Sequence, residues 1–458
     1  MTRTRGDGPL SRAYLEVTLS ILALVTVVAF EAMAVSTAMP TVARELDAVR
    51  SYGFAFSVML TAQLLGIVLA GVWADRSGPL PGAVTGQALL AGGSAICGSA
   101  STFPVFLAGR ALTGLGGGLL VVMLYVIAGR VYPETIRPRL FTLVSAAWVL
   151  PSLVGAPISA FLTTNLSWRW VFWGVVPPVL ITMAALAHAR RRVGDVGLTA
   201  SVGIRDHAAH VRAARAGFGI AIAAGALQLG THELQLEWSA KTLLAVAGLV
   251  GVMLVAPLLV PAGTWVMRRG LPSVILARAV FSAAFFAGVT YVPLLLVGQR
   301  GLSLQTAGLS LAIGAIGWAA GAWYQGHDTL HLPRYRLIEV GGALLSAGLL
   351  LISAVAWLVL PWWLVPLGLI LMGIAMGVGV TTTTVLSLEL SPMGQHGEVS
   401  SSLQLADVLA SVLGVAAATA AFAAWHVPGE DDALFGAIFL GLAAVAAIGI
   451  PAGQRIRT

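Results

Sequence analysis

About fourteen apolar runs, each long enough to cross a bilayer, follow one another along this chain with short polar segments between them. A helix rises about 1.5 Å per residue, so roughly 20 residues cross the ~30 Å hydrocarbon layer. The runs fall at roughly 16–39, 51–73, 80–100, 103–130, 138–164, 168–187, 216–233, 240–261, 272–298, 304–325, 336–359, 362–388, 398–424 and 432–452. A polar, arginine-rich stretch from Ala189 to Arg215 separates the sixth from the seventh. Only 10% of the 458 residues are charged and 58% are hydrophobic, too little charge to solvate the surface of a soluble globule. The expected fold class is therefore an all-α polytopic membrane protein. The run at 216–233 is the weakest, because Gln228, His232 and Glu233 crowd its end.

The formal net charge of +7 reads as topology rather than as affinity for nucleic acid, because the arginines sit in short loops beside apolar spans. With the N-terminus inside, nineteen basic residues fall in inner loops and five in outer loops, with Arg110 and Arg278 inside spans. That bias predicts cytoplasmic termini and places Glu430, Asp431 and Asp432 outside, together with the Trp168-Arg169-Trp170 cluster, which suits an interfacial belt. Arg3, Arg5 and Arg12 precede the first run as in a signal peptide, but the run is far longer than a signal h-region and reads as a retained helix. Cys97 is the single cysteine, so no intramolecular disulfide or thiol metal site is expected.

Glu31 is the one charge in the run from Val17 to Pro40. A carboxylate at that depth costs roughly 2.5–3.5 kcal/mol even on the lenient insertion scale, and burial favours its protonated form. Arg110, on the fourth span, lies at a matching depth, roughly 10–14 Å below the outer face at the helical rise. Pairing between them is expected. The pair reads either as a proton switch, in which protonation of Glu31 frees Arg110, or as a static structural bond. Asp407, one turn beyond Gln404, is a third deep charge and reads as a second proton site or as a clamp between helices. Arg278, Glu339 and Glu389 sit near inner span ends and read as structural.

Two further stretches stand out. Gly71-Val-Trp-Ala-Asp75-Arg76-Ser-Gly78 joins the second and third spans, and Trp148-Val-Leu-Pro151-Ser-Leu-Val-Gly155-Ala-Pro157 should bend the fifth. Thr113-Gly114-Leu115-Gly116 in the fourth span echoes Met376-Gly377-Val378-Gly379 in the twelfth, as two related halves would. His207/His210 and His327/His331 have ligand-like spacing but no third partner, so solvated histidines and no metal site are expected. No ATP-binding Gly-Lys-Ser/Thr loop, metalloprotease His-Glu pair or nucleophile elbow occurs, and no enzyme activity or cofactor is expected.

These motifs together resemble the major facilitator superfamily, particularly its fourteen-helix drug/proton antiporters. Gly71–Gly78 is similar to the family's Gly-x-x-x-Asp-Arg-x-Gly loop, and Arg110–Gly117 to its Arg-x-x-x-Gly-x-Gly-Gly fourth helix. Trp148–Pro157 resembles the bent antiporter helix, Ser167–Phe172 the start of the sixth, and Phe30-Glu31 through Met39-Pro40 the first. Pro293–Gly308 resembles the ninth-to-tenth hairpin of the fourteen-span branch. Two departures stand out. Pro79-Leu-Pro81 replaces the basic residues that follow the loop motif, and Ala156-Pro157 with Ala160-Phe161 replaces the Gly-Pro and glycine pair of the antiporter helix.

The resemblance implies two six-helix bundles, 1–187 and 262–458, with a basic loop at 188–215 and an inserted helix pair at 216–261. It further implies proton-coupled export of a small amphipathic compound across a bacterial cytoplasmic membrane. Glu31 would carry the proton, Arg110 would be its counter-charge and Asp407 a further coupling site, with Gly71, Asp75, Arg76 and Gly78 in an inner gate. Phe30, Gln63, Phe286 and Tyr291, with Trp148, are candidate cavity residues. The expected partners are a small-molecule substrate, protons and the lipid bilayer, with no nucleic acid and a monomeric state. A proton symporter for uptake would use the same parts, and a non-transporting membrane receptor or scaffold would keep the fold without proton release.

Overall fold

A computed structural model of the chain describes residues 8–11, 14–133, 136–193, 207–231, 240–325, 332–392 and 396–456. Among them the secondary structure is helical. The helices are α1 (Leu15–Glu45), α2 (Tyr52–Ser77), α3 (Pro79–Ser99), α4 (Phe103–Val131), α5 (Arg137–Asn165), α6 (Arg169–Trp173), α7 (Val176–Val193) and α8 (His207–Thr231). After these come α9 (Ala240–Leu259), α10 (Leu271–Leu294), α11 (Leu304–Gln325), α12 (Arg334–Trp357), α13 (Leu364–Glu389), α14 (His396–Trp425), α15 (Asp432–Ala447) and α16 (Gly449–Ile456). Twelve segments among the described residues are long and apolar enough to cross a membrane. Two further helices, α5 with 29 residues and α8 with 25, also have spanning length.

The sixth span is two helices, not one. α6 ends at Trp173 and α7 restarts at Val176, immediately before Pro177 and Pro178, which have no N–H to continue a helix ladder. Trp168 is fully buried, packed edge-to-face on Phe106 and Phe172 at 6.0 Å each, so it anchors α6 on α4. The belt expected of the Trp168-Arg169-Trp170 cluster thus divides: Trp170 is exposed, while Trp168 belongs to the core.

The chain forms two compact units. Unit one comprises 1–38 and 62–218, and unit two comprises 39–61 and 219–458. In unit one α3 packs along α4, and the glycines of both helices set the separation. A Cβ on Gly93 would lie 2.7 Å from the Gly109 carbonyl oxygen and from the Thr113 nitrogen. Gly93→Leu should therefore force the helices apart at a cost of about 1–3 kcal/mol or more. Gly92→Leu, where the added Cβ meets nothing within 4 Å, should be silent. Thermal unfolding of the two purified variants, side by side, checks this.

At one end of α4, burial pushes the Tyr132 phenol up to about 12, with the hydrogen bond to Thr18 pulling the other way. Tyr132 thus keeps its proton and donates to the Thr18 hydroxyl at 2.7 Å, while Thr18 donates to the Pro9 carbonyl at 2.6 Å. This chain of bonds ties the residues before α1 to the end of α4.

Unit two builds its core from α10 on α14, α11 on α13, and α12 between α13 and α15. Its 39–61 segment is the end of α1, the following turn and the start of α2. Tyr52 packs its ring at a tilt against Tyr291, 5.7 Å between centroids, and donates to the Thr290 carbonyl at 3.0 Å, which fixes that segment onto α10. Gly379, the counterpart of Gly116 in the internal echo, is likewise a contact glycine: a Cβ there would meet the Phe281 ring of α10, at 2.6 Å from its Cδ2.

Candidate functional site

Hydropathy puts Glu31 in the middle of α1 and Arg110 in the second turn of α4, and the fold of unit one brings them together. Arg110 Nη1 donates to Glu31 Oε1 at 2.5 Å, with both side chains 2% exposed. A charge-assisted bond shielded from water is held firmly, and removing or neutralising either charge weakens it. The Arg110 carbonyl accepts from the Thr113 hydroxyl at 2.9 Å, within the same glycine-rich turn.

Helix α5 lies directly beside the pair. Ser159 donates to the Ala34 carbonyl at 2.5 Å. A Cβ on Gly155 would rest 3.4 Å from Met33 and 3.5 Å from Phe30. The helix carrying Pro151, Gly155 and Pro157 therefore meets α1 at Phe30, Met33 and Ala34, beside Glu31. Pro151 is buried and Pro157 half-buried, and α5 runs continuously through both. The Trp148 side chain lies outside the described residues.

In the second-to-third connection α2 continues through Gly71, which is exposed, to Ser77, and a single residue, Gly78, joins it to α3. Gly78 has φ 76°, a left-handed conformation that only glycine adopts without strain, and Pro79 starts α3 at its first position. The prolines that replace the family's basic residues are thus helix starters. Arg130 of α4 donates to the Ala74 carbonyl in the last turn of α2 at 3.3 Å, a contact that sequence reasoning missed. The side chains of Asp75 and Arg76 lie outside the described residues, as does that of His207, and His327 and His331 fall in an undescribed segment.

Asp407 has a partner in unit two that sequence reasoning did not assign. Arg278 of α10 donates through Nε to Asp407 Oδ1 at 2.7 Å and through Nη2 to Oδ2 at 3.3 Å. Its Nη1 donates to the Val380 carbonyl at 3.2 Å, and Ser282 donates to the same carboxylate. The side chains are 13% and 20% exposed, so this forked pair is more accessible than Glu31–Arg110. The signal was available. Counted from the inner ends of their spans, Arg278 and Asp407 differ by two or three residues, about 3–5 Å of rise. The depth matching that paired Glu31 with Arg110 pairs these as well.

Phe30 and Gln63 are half-buried in unit one, and Phe286 is half-buried in unit two. Tyr291 is fully buried among Tyr52, Phe422 and Phe435, with its hydroxyl donated to Thr419 at 3.3 Å.

The Major Facilitator Superfamily model matches residues 21–415. Over 434 residues the chain is 26% identical to an uncharacterised MFS-type transporter of Mycobacterium tuberculosis, covering 91% of this chain and 60% of that protein. The chain thus spans about 60% of the length of that relative. It is 26% identical over 185 residues to the multidrug transporter protein MdtP of Bacillus subtilis, covering 39% of this chain and 34% of the relative. Among solved structures, a peptide transporter POT in complex with alafosfalin is similar with a TM-score of 0.71 at 15% identity, covering 97% of this chain and 96% of that one. A D-xylose-proton symporter is similar at 0.63 and 15% identity, covering 96% and 98%. At such identities the structures share the fold alone. A helical membrane architecture, the loop and fourth-helix signatures and a family model that matches most of the sequence agree, and the chain belongs to the Major Facilitator Superfamily.

Proposed function

We propose that this protein is a proton-coupled secondary transporter that exports a small amphipathic compound by antiport. The observation that carries the reading is the sealed Glu31–Arg110 bond, 2.5 Å long with both partners 2% exposed. An ionisable residue at membrane depth is costly to keep, which favours a functional over a purely structural role for the pair. Protonation of Glu31 cancels the attraction and releases the Arg110 guanidinium, so the bond is a two-state element that a proton gradient can bias. Gly155 and Ser159 of α5, which meet α1 at Phe30, Met33 and Ala34 beside Glu31, would carry that change into α5.

Arg278–Asp407 would serve as a second coupling pair, and its greater exposure suits exchange with water or with a cationic group on the substrate. Asp407→Asn should slow transport about tenfold while leaving a folded protein, since the amide still accepts from Arg278 and Ser282. Initial rates at equal membrane expression check this. Asp75 would bias the inner gate. The bundles at 1–187 and 262–458, with the 188–215 loop and the 216–261 pair between them, are the moving parts in this reading, working as a monomer in a bacterial cytoplasmic membrane. One charge moving inward across ~100 mV releases about 2.3 kcal/mol, enough for roughly a 50-fold gradient of neutral substrate.

Reconstitution into proteoliposomes with an imposed pH gradient and a panel of amphipathic compounds tests the proposal. The expected result is pH-driven movement of at least one compound against its gradient. Equal fluxes with and without the pH gradient for every transported compound would contradict it. Orientation is checked separately. Glu430→Cys in a Cys97→Ala background should label from outside, and Ser77→Cys only after permeabilisation, because both positions are exposed at loops of opposite assigned side.

A further inference from the structure

We propose that unit two carries a second ligand site, independent of the Glu31–Arg110 pair, that takes an amphipathic anion: an apolar body bearing a carboxylate, sulfonate or phosphate. A cavity of about 850 Å³ opens where the 39–61 segment meets the ends of α10 and α14, on the side that the charge bias assigns to the outer face. This volume falls within the ~300–1,000 Å³ of ordinary small-molecule sites. One wall is apolar, with Leu294, Phe422 and Phe435, and the other carries Arg44, Arg50 and Asp47.

The balance of charge decides the ligand. Asp431 also lines the cavity, but it is 2% exposed and already satisfied. It pairs with His426 Nδ1 at 2.6 Å, and it accepts from the Val427 N–H at 2.9 Å and from Gln299 Nε2 at 3.4 Å. Arg44, Arg50 and Asp47 are exposed whereas Asp431 is buried and engaged by its three partners, so the charge open to a ligand is two guanidiniums against one carboxylate, beside an apolar wall. Guanidinium also matches the planar or tetrahedral oxygen fork of such anions.

The wall is locally irregular as well. Leu295–Gln299 form a π-helical turn directly after Pro293, and Asp47 has φ 49°. π-turns are rare and concentrate at functional sites, while the left-handed Asp47 closes the C-terminus of α1 and presents its carboxylate at the cavity rim. The ligand chemistry has two sources, an anionic lipid headgroup from the adjoining leaflet or a free amphipathic compound.

The test measures binding of 1-pyrenebutyrate, and of its trimethylammonium analogue 1-pyrenebutyl-trimethylammonium, to the full chain in phosphatidylcholine nanodiscs. The anion should bind saturably and about tenfold more tightly than the cation, as one charge-assisted contact supplies. Arg44→Gln combined with Arg50→Gln should erase that preference, and Ala423→Trp, which fills the cavity, should abolish anion binding. Asp47→Asn should tighten it, a gain that a misfolded protein cannot give. Competition by phosphatidylglycerol in the nanodisc would identify a lipid occupant, and its absence a free compound; both outcomes keep the anion site. Equal binding of the two probes to the unsubstituted protein, or an anion preference unchanged in both the double-arginine and Asp47→Asn variants, would overturn it.

Discussion

Glu31→Gln should leave a folded protein at the membrane that no longer responds to a pH gradient. The amide is isosteric with the carboxyl and its carbonyl can still accept from Arg110 Nη1, although the buried guanidinium loses its counter-charge and some loss of stability is expected. Substrate binding and facilitated exchange between equal proton concentrations should persist, because neither needs a titrating group. Uphill movement should fall to background, a loss of the whole ~50-fold gradient available from one charge. Glu31→Asp keeps a carboxyl on a shorter stem and should retain partial activity with a displaced pH optimum. Exchange and pH-driven flux, measured on the same vesicles, separate a coupling defect from a binding defect.

Arg110→Leu should produce the largest loss of stability of any single substitution considered. It strands the Glu31 carboxylate at 2% exposure, and breaking a buried pair by removing one partner costs about 3–5 kcal/mol. Replacing both partners with leucine should recover most of the stability, since a buried pair exchanged for apolar residues of similar volume is often neutral or better. The double variant should nevertheless remain uncoupled. Stability restored with transport still lost would assign the pair to energy conversion, whereas a double variant that transports uphill would make it a helix clamp. Thermal unfolding of the three variants, followed by transport, covers both outcomes.

The spans and the Glu31–Arg110 bond were legible in the sequence for one reason. Hydrocarbon tolerates so few charges that those present announce both their depth and their need for a partner. The same logic, applied to Arg278, would have found Asp407. It failed because Arg278 was placed near enough to its span end for its side chain to reach the interface, and a residue with that escape has no evident need of a partner.

Other features were not legible, because hydropathy reports how apolar a residue is and not what it touches. Trp168 and Trp170 are identical in composition terms, yet one fills the core between Phe106 and Phe172 and the other is exposed. Asp431, placed in an outer acidic loop by charge counting, is enclosed by His426, Val427 and Gln299. The docking of Tyr52 against Tyr291 and Thr290 joins residues 238 or more positions apart, and no local pattern encodes it.

The central claim is that a proton moves on and off Glu31 as substrate crosses. The most direct measurement is the internal pH of proteoliposomes, read by a trapped dye, when a transported compound is added on one side with no imposed gradient. For the unsubstituted protein, substrate-dependent proton flux in the opposite direction is expected, and in Glu31→Gln the compound should cross with no accompanying proton. A proton flux of undiminished size in Glu31→Gln would contradict the account and place the coupling carboxyl elsewhere, with Asp407 the next to substitute.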